Sequence, residues 1–149
     1  LLDRITPNQS PEQITPWTGL DHYLQSLHRT SVLIDSQKID LALGGHEAPM
    51  WNPGVRVEQT VQFHRQRLER VLALCKDDLT IAELSQRLFG EIGGYGRLLA
   101  LGETAAHVEY LVRRSQLQLA NVEDLLRARN PAMRYRTAVP SPGPAPGPV

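Results

Sequence analysis

Five histidines and a single cysteine are the side chains of this 149-residue chain best suited to hold a metal or move a proton. His46 has the sharpest setting. It follows the run Leu41-Ala42-Leu43-Gly44-Gly45, in which a short apolar stretch ends in two glycines, and it precedes a proline-containing loop. Glycines let the backbone turn tightly, and a histidine just past a strand end sits at a rim where ligands converge. Neutral imidazole is a common ligand for zinc, iron or manganese. The same residues also suit a plain turn with a solvated histidine. Local sequence leaves both readings open.

The neighbouring patterns are less specific. Glu47 does not complete an H-E-x-x-H metalloprotease helix, because Met50 stands where the second histidine belongs. His107-Val108-Glu109 has the H-x-E of zinc deaminases without the paired cysteines, which excludes that chemistry. His64 lies on the apolar face of a long helical pattern and reads as a core or inter-domain residue, and His107 reads the same way. His22 and His28 lie on or beside an amphipathic helix and carry no signal. The glycine cluster Gly90–Gly96 lacks the G-K-[ST] ending of a phosphate loop and follows a helix, so it reads as a connector.

Helices and strands must position these residues. Residues 6–19 are rich in Pro, Thr and Asn and read as an ordered loop. Leu20, Tyr23, Leu24 and Leu27 recur at i, i+3, i+4 and i+7, one face of a helix. Residues 39–43 read as a short buried strand, and 49–54 as a loop. Over 55–76 the residues Val57, Val61, His64, Leu68, Val71, Leu72 and Cys75 share one helical face. Thr80 and Glu83 form a T-x-x-E capping box that should start a short helix through Leu88. A third helix is expected over 97–114, then short strands near 116–122 and 133–137. Three helices followed by a β-hairpin is the order of a winged-helix domain.

The expected organisation is therefore α+β. Residues 1–54 carry one helix and one strand, too little to bury a core alone. Residues 55–138 form a winged-helix-like domain, and 139–149, rich in Pro and Gly, form a disordered tail. The opening Leu1-Leu2 without a methionine suggests a piece of a longer protein.

Charge restricts the partners. Lys+Arg and Asp+Glu both total 16, so no global field favours nucleic acid or anionic lipid. Between Asp77 and Glu109 six acids face only Arg87 and Arg97. A recognition helix carrying Glu103 and Glu109 would repel phosphates. Further on, Arg113, Arg114, Arg127, Arg129, Arg134 and Arg136 face only Glu123 and Asp124. That basic stretch could bind RNA or simply solvate a hairpin. The Val57–Cys75 stripe could equally form a homodimer surface. One cysteine excludes an internal disulfide, and no apolar run reaches the roughly 18–20 residues of a membrane span. A soluble, cytoplasmic protein is the expectation.

Six stretches in this order, RITPN (4–8), GLDHYLQSL (19–27), LALGGHE (41–47), FHRQRLERV (63–71), LTIAELSQRLFG (79–90) and LALGETAAHVEYLVRR (99–114), resemble the C-terminal part of metallo-β-lactamase-fold hydrolases. The likeness runs over about residues 1–115, where the chain is similar to the glyoxalase II-like and endoribonuclease-like group, between which nothing in the sequence decides. The expected winged-helix tail resembles that group only loosely. The resemblance implies that His46 is the last histidine ligand of a dinuclear metal site, usually zinc, with two metals per full-length chain. Gly44 stands where a proline is more usual, which affects the turn rather than the ligand. It also implies that the other ligands precede Leu1, so this chain alone would be inactive. The full protein would be a metal-dependent hydrolase of a thioester, an ester or a phosphodiester, with a binding module lacking hydrolase activity as the alternative.

Overall fold

A helical repeat of leucines winds Leu20–Gln37 into α1. Gly19 precedes it at φ 94°, a conformation that L side chains rarely adopt, and Lys38 closes it in the left-handed region at φ 52°. The chain then forms a two-residue antiparallel pair, β1 (Leu41–Ala42) and β2 (Met50–Trp51), with Leu41 opposite Trp51. The computed structural model describes residues 6–46 and 48–138. The expected tail over 139–149, the stretch 1–5 and Glu47 lie outside those residues.

From Pro53 the chain runs into α2 (Pro53–Leu74), with the proline at the first helical position, where its missing N–H costs nothing. Val57, Thr60, His64, Leu68 and Val71 are its buried face. β3 (Leu79–Thr80) leads directly into α3 (Ile81–Phe89), where Thr80 and Glu83 complete the expected capping box: the Glu83 N–H donates to Thr80 Oγ1 and the Thr80 N–H donates to Glu83 Oε2. Gly90, at φ 77°, stops this helix. α4 (Gly94–Arg113), β4 (Leu117–Leu119), α5 (Val122–Arg127) and β5 (Arg134–Thr137) follow. β3, β5 and β4 form an antiparallel sheet in that spatial order, with β5 central.

One buried cluster joins these parts: Leu20 of α1, Leu68, Val71 and Cys75 from α2 and its end, Leu84 of α3, Val108 and Leu111 of α4, and Leu117 of β4. A second holds Leu27 and Ile34 of α1 against Val57 of α2. α1 therefore leans on the helices that follow it, and the apolar stripe of α2 packs within the chain. Among the described residues, no helix is long and apolar enough to cross a membrane.

The structure differs from the sequence expectation at several points. The strand expected over 39–43 is only Leu41–Ala42, and it is not buried: Leu41 is exposed and Ala42 half-buried. β2 falls where a loop was expected, β3 is a strand that was not expected ahead of the capped helix, and α5 interrupts the hairpin. The third helix starts three residues earlier than expected, at Gly94.

Replacing Thr80 by alanine removes one bond of the capping box and leaves the Glu83 N–H without its acceptor. We expect a loss of about 1 kcal/mol in chemical denaturation, with the denaturant slope unchanged. A loss near zero would show that the cap does not support α3.

Candidate metal centre and buried histidine network

The faces of α2 and α4 that meet inside the molecule carry polar groups among their apolar ones. His64, Glu103 and His107 are all buried, at 0%, 4% and 0% exposure. Glu103 and His107 stand one turn apart on α4, and His64 comes from the neighbouring α2, which brings all three together. Their sequence context showed only part of this. His64 and His107 were expected in the core, as found. Glu103, expected to be an acid repelling phosphates from a helix surface, lies inside.

Burying a carboxylate is costly unless its oxygens are bonded. Glu103 Oε1 accepts from Arg67 Nη1 at 2.9 Å, and Oε2 accepts from the Gln9 N–H at 2.6 Å. Desolvation still raises the Glu103 pKa, against the Gln9 bond and the Arg67 charge. Arg67 is itself held between two rings, its guanidinium carbon 4.3 Å from the Phe63 centroid and 4.8 Å from that of Phe89.

The hydrogen bonds assign the imidazole tautomers. His107 Nδ1 lies 2.7 Å from the Glu103 carbonyl oxygen, which can only accept, so Nδ1 carries the proton. Its Nε2 then accepts from His64 Nδ1–H at 3.2 Å. His64 Nε2 is left as a buried lone pair with no partner. Both rings are neutral: burial pushes the His64 pKa down to about 4 and that of His107 to about 3, with the Arg67 charge adding to both shifts.

His46 is elsewhere. It is exposed, in the connection between β1 and β2, and makes no hydrogen bond or ion pair with a described residue. His22 bonds Glu12 through Nε2 at 3.1 Å, and His28 is exposed. Cys75 is buried and its thiol is pushed up to about 11 by burial, which keeps it protonated and unreactive.

The arginines near the sheet do not form an open cationic surface. Arg113 pairs with Glu12 and Glu109, Arg114 with Asp21, Arg127 with Glu123, Arg134 with Glu83 and Arg136 with Asp78. Only Arg129 of the six has no ion pair with a described residue. Most of these acids lie far away in sequence, so the local charge count did not reveal them.

No protein-family model matches the chain, and no curated protein does. Solved structures do. A metallo-beta-lactamase family protein from Thermus thermophilus is 29% identical, with a TM-score of 0.66 over 92% of this chain. A beta-lactamase domain protein from Burkholderia ambifaria is 26% identical, with a TM-score of 0.76 over 93%. The chain spans 39% of the length of each of these structures. These likenesses support a place for the chain in the metallo-β-lactamase fold superfamily.

The buried imidazoles fix a direction of pH dependence. The unfolded histidines bind protons below about pH 6.5, while the folded ones stay neutral to about 4 and about 3. Stability is therefore full above that range and falls as pH drops through it. Glu103, with its raised pKa, opposes the trend, since the folded state binds its proton first. Asp21, Glu12 and Glu83, whose pKa values are lowered, add losses only below about 4.5. We expect chemical denaturation to show a loss on the order of 2 kcal/mol between pH 6.5 and 4.5. A flat profile over that window would contradict the neutral, buried pair.

Proposed function

We propose that this chain supplies the last metal-ligand histidine, His46, and the C-terminal helical part of a metal-dependent hydrolase of the metallo-β-lactamase fold. Zinc is the metal, and the substrate is an ester, a thioester or a phosphodiester. The likeness over more than nine tenths of the chain to two metallo-β-lactamase-type structures carries this reading. The setting of His46 supports it. The β1–β2 pair fixes both ends of its connection, the Asn52 N–H donates to the Asp40 carbonyl at 2.9 Å at the base, and the imidazole stands exposed with no competing partner among the described residues.

The fit to a metal is partial in this chain. His46 is one donor, and a metal pair needs several, so the remaining ligands belong to sequence outside these residues and the chain alone is inactive. A bound metal pair supplies a water of lowered pKa and stabilises negative charge developing on oxygen. His46 holds and orients; it transfers no proton. We read α2, α3 and α4 with the β3-β5-β4 sheet as a winged helix serving as a packing domain. The ion pairs of five of its six candidate arginines support packing over RNA binding.

The test measures metal by mass spectrometry, and hydrolysis of an aryl ester, a thioester and an aryl phosphodiester, on a protein that includes the sequence before Leu1. His46→Ala should lose about one metal per chain and at least ~100-fold in activity. Its stability should stay within about 0.5 kcal/mol, since the residue is exposed. An intact protein that binds no metal and cleaves none of the three substrates would end the proposal.

A further inference from the structure

The network between α2 and α4 contains a set of ligands that the hydrolase reading does not use. One donor atom from each of His64, Glu103 and His107 lies within 4.8 Å of the others. His64 Nδ1 and His107 Nε2 are 3.2 Å apart. Two nitrogens bound to one tetrahedral zinc at about 2.0–2.1 Å would stand roughly 3.3 Å apart. Glu103 Oε1 is 4.0 Å from His64 Nδ1, and a carboxylate oxygen of Glu103 belongs to the 4.8 Å group, so a rotation of the carboxylate brings it to a shared ion.

The surroundings suit a ligand set. His107 Nδ1–H donates to the Glu103 carbonyl, which fixes the ring and presents Nε2 as a lone pair, the usual outer support of a metal-bound histidine. The Gln9 N–H holds the other oxygen of Glu103. Inward-facing Glu and His on neighbouring helices are the parts from which bundle metal sites are built. Neutral rings need no deprotonation before binding.

We propose that His64, Glu103 and His107 bind one zinc-class divalent cation that ties α2 to α4, with Arg67 as the gate. Without the ion, Arg67 supplies the positive charge that Glu103 needs. Arg67 and Glu103 both line a groove of about 720 Å3 walled by Phe63, Phe89 and Leu99, and the Arg67 side chain is 20% exposed. Arg67 leaves Oε1 for this groove as the cation takes its place. The proton on His64 Nδ1 moves to Nε2, the buried nitrogen that has no partner, so the ring stays neutral and no proton is released. The site is separate from His46, and this proposal stands or falls independently of the hydrolase reading.

The test equilibrates this chain with Co(II) or Zn(II), removes free metal by gel filtration and measures what remains. We expect about one ion per chain, with the visible absorption of four-coordinate Co(II). His46→Ala should keep it, while Glu103→Gln and His107→Gln should each weaken binding at least ~10-fold, with circular dichroism as the folding check. Arg67→Met leaves an apolar chain between the two phenylalanines and frees the carboxylate. It should tighten binding several-fold, a gain that misfolding cannot produce. A wild-type chain that retains no metal, or retention that both ligand variants leave unchanged, would overturn the site. Binding no tighter in Arg67→Met would overturn the gate.

Discussion

A carboxylate almost wholly removed from water, Glu103, is the constraint on which the arrangement of the helices depends. Taking such a charge from water costs several kcal/mol unless each oxygen is met by a donor. The donors come from two other parts of the chain, the guanidinium of Arg67 on α2 and the backbone N–H of Gln9 in the leading loop. Any shift of α2 against α4, or of the loop against either, leaves part of that charge unanswered. Glu109 works similarly nearby, accepting from the Glu12 N–H at 2.8 Å, while the Glu12 side chain engages His22 and Arg113. Two acids of α4 thus hold a loop that has no helix or strand of its own. Apolar packing beneath, from Leu20 to Leu117, supplies bulk burial, but burial alone would tolerate several helix registers.

The two histidine settings divide cleanly by solvent. His46 stands in water on a short strand connection, where an imidazole is open to an incoming ion. His64 and His107 stand in the interior, where the low dielectric keeps them neutral and each must find a partner among fixed groups. The surface arginines follow a third pattern, with most held by acids brought near through folding. Surface pairs of this kind contribute little to stability individually. Their effect is to remove free positive charge from the region between α4 and the sheet.

What the sequence disclosed was governed by distance along the chain. Thr80 and Glu83 are three residues apart, and their reciprocal bonds formed as expected. The apolar stripes of α1 and α2 were legible for the same reason, since helical periodicity is local. β3 was not legible: two residues have no periodicity, and Leu79 becomes a strand only because it pairs with Tyr135. Glu103 was misplaced on a surface because its deciding partner, Gln9, lies 94 residues away. The histidine pair spans 43 residues, so neither ring alone announced the other. One trace was available, the i, i+4 spacing of Glu103 and His107 opposite a histidine on another apolar face.

The order of strands in the second sheet bears on how the chain is made. β5 is the last strand among the described residues, yet it lies in the middle, with β3 on one side and β4 on the other. The Thr137 N–H also donates to the Cys75 carbonyl at the end of α2, at 2.8 Å. During synthesis from the N-terminus, α1 to α4 can meet while β3 and β4 have nothing between them to pair with. Both outer strands keep unsatisfied backbone groups until residue 137 has left the ribosome. The sheet must therefore close as one late event, and a nascent chain stalled before Arg134 would hold its helices and lack the strand that joins the other two.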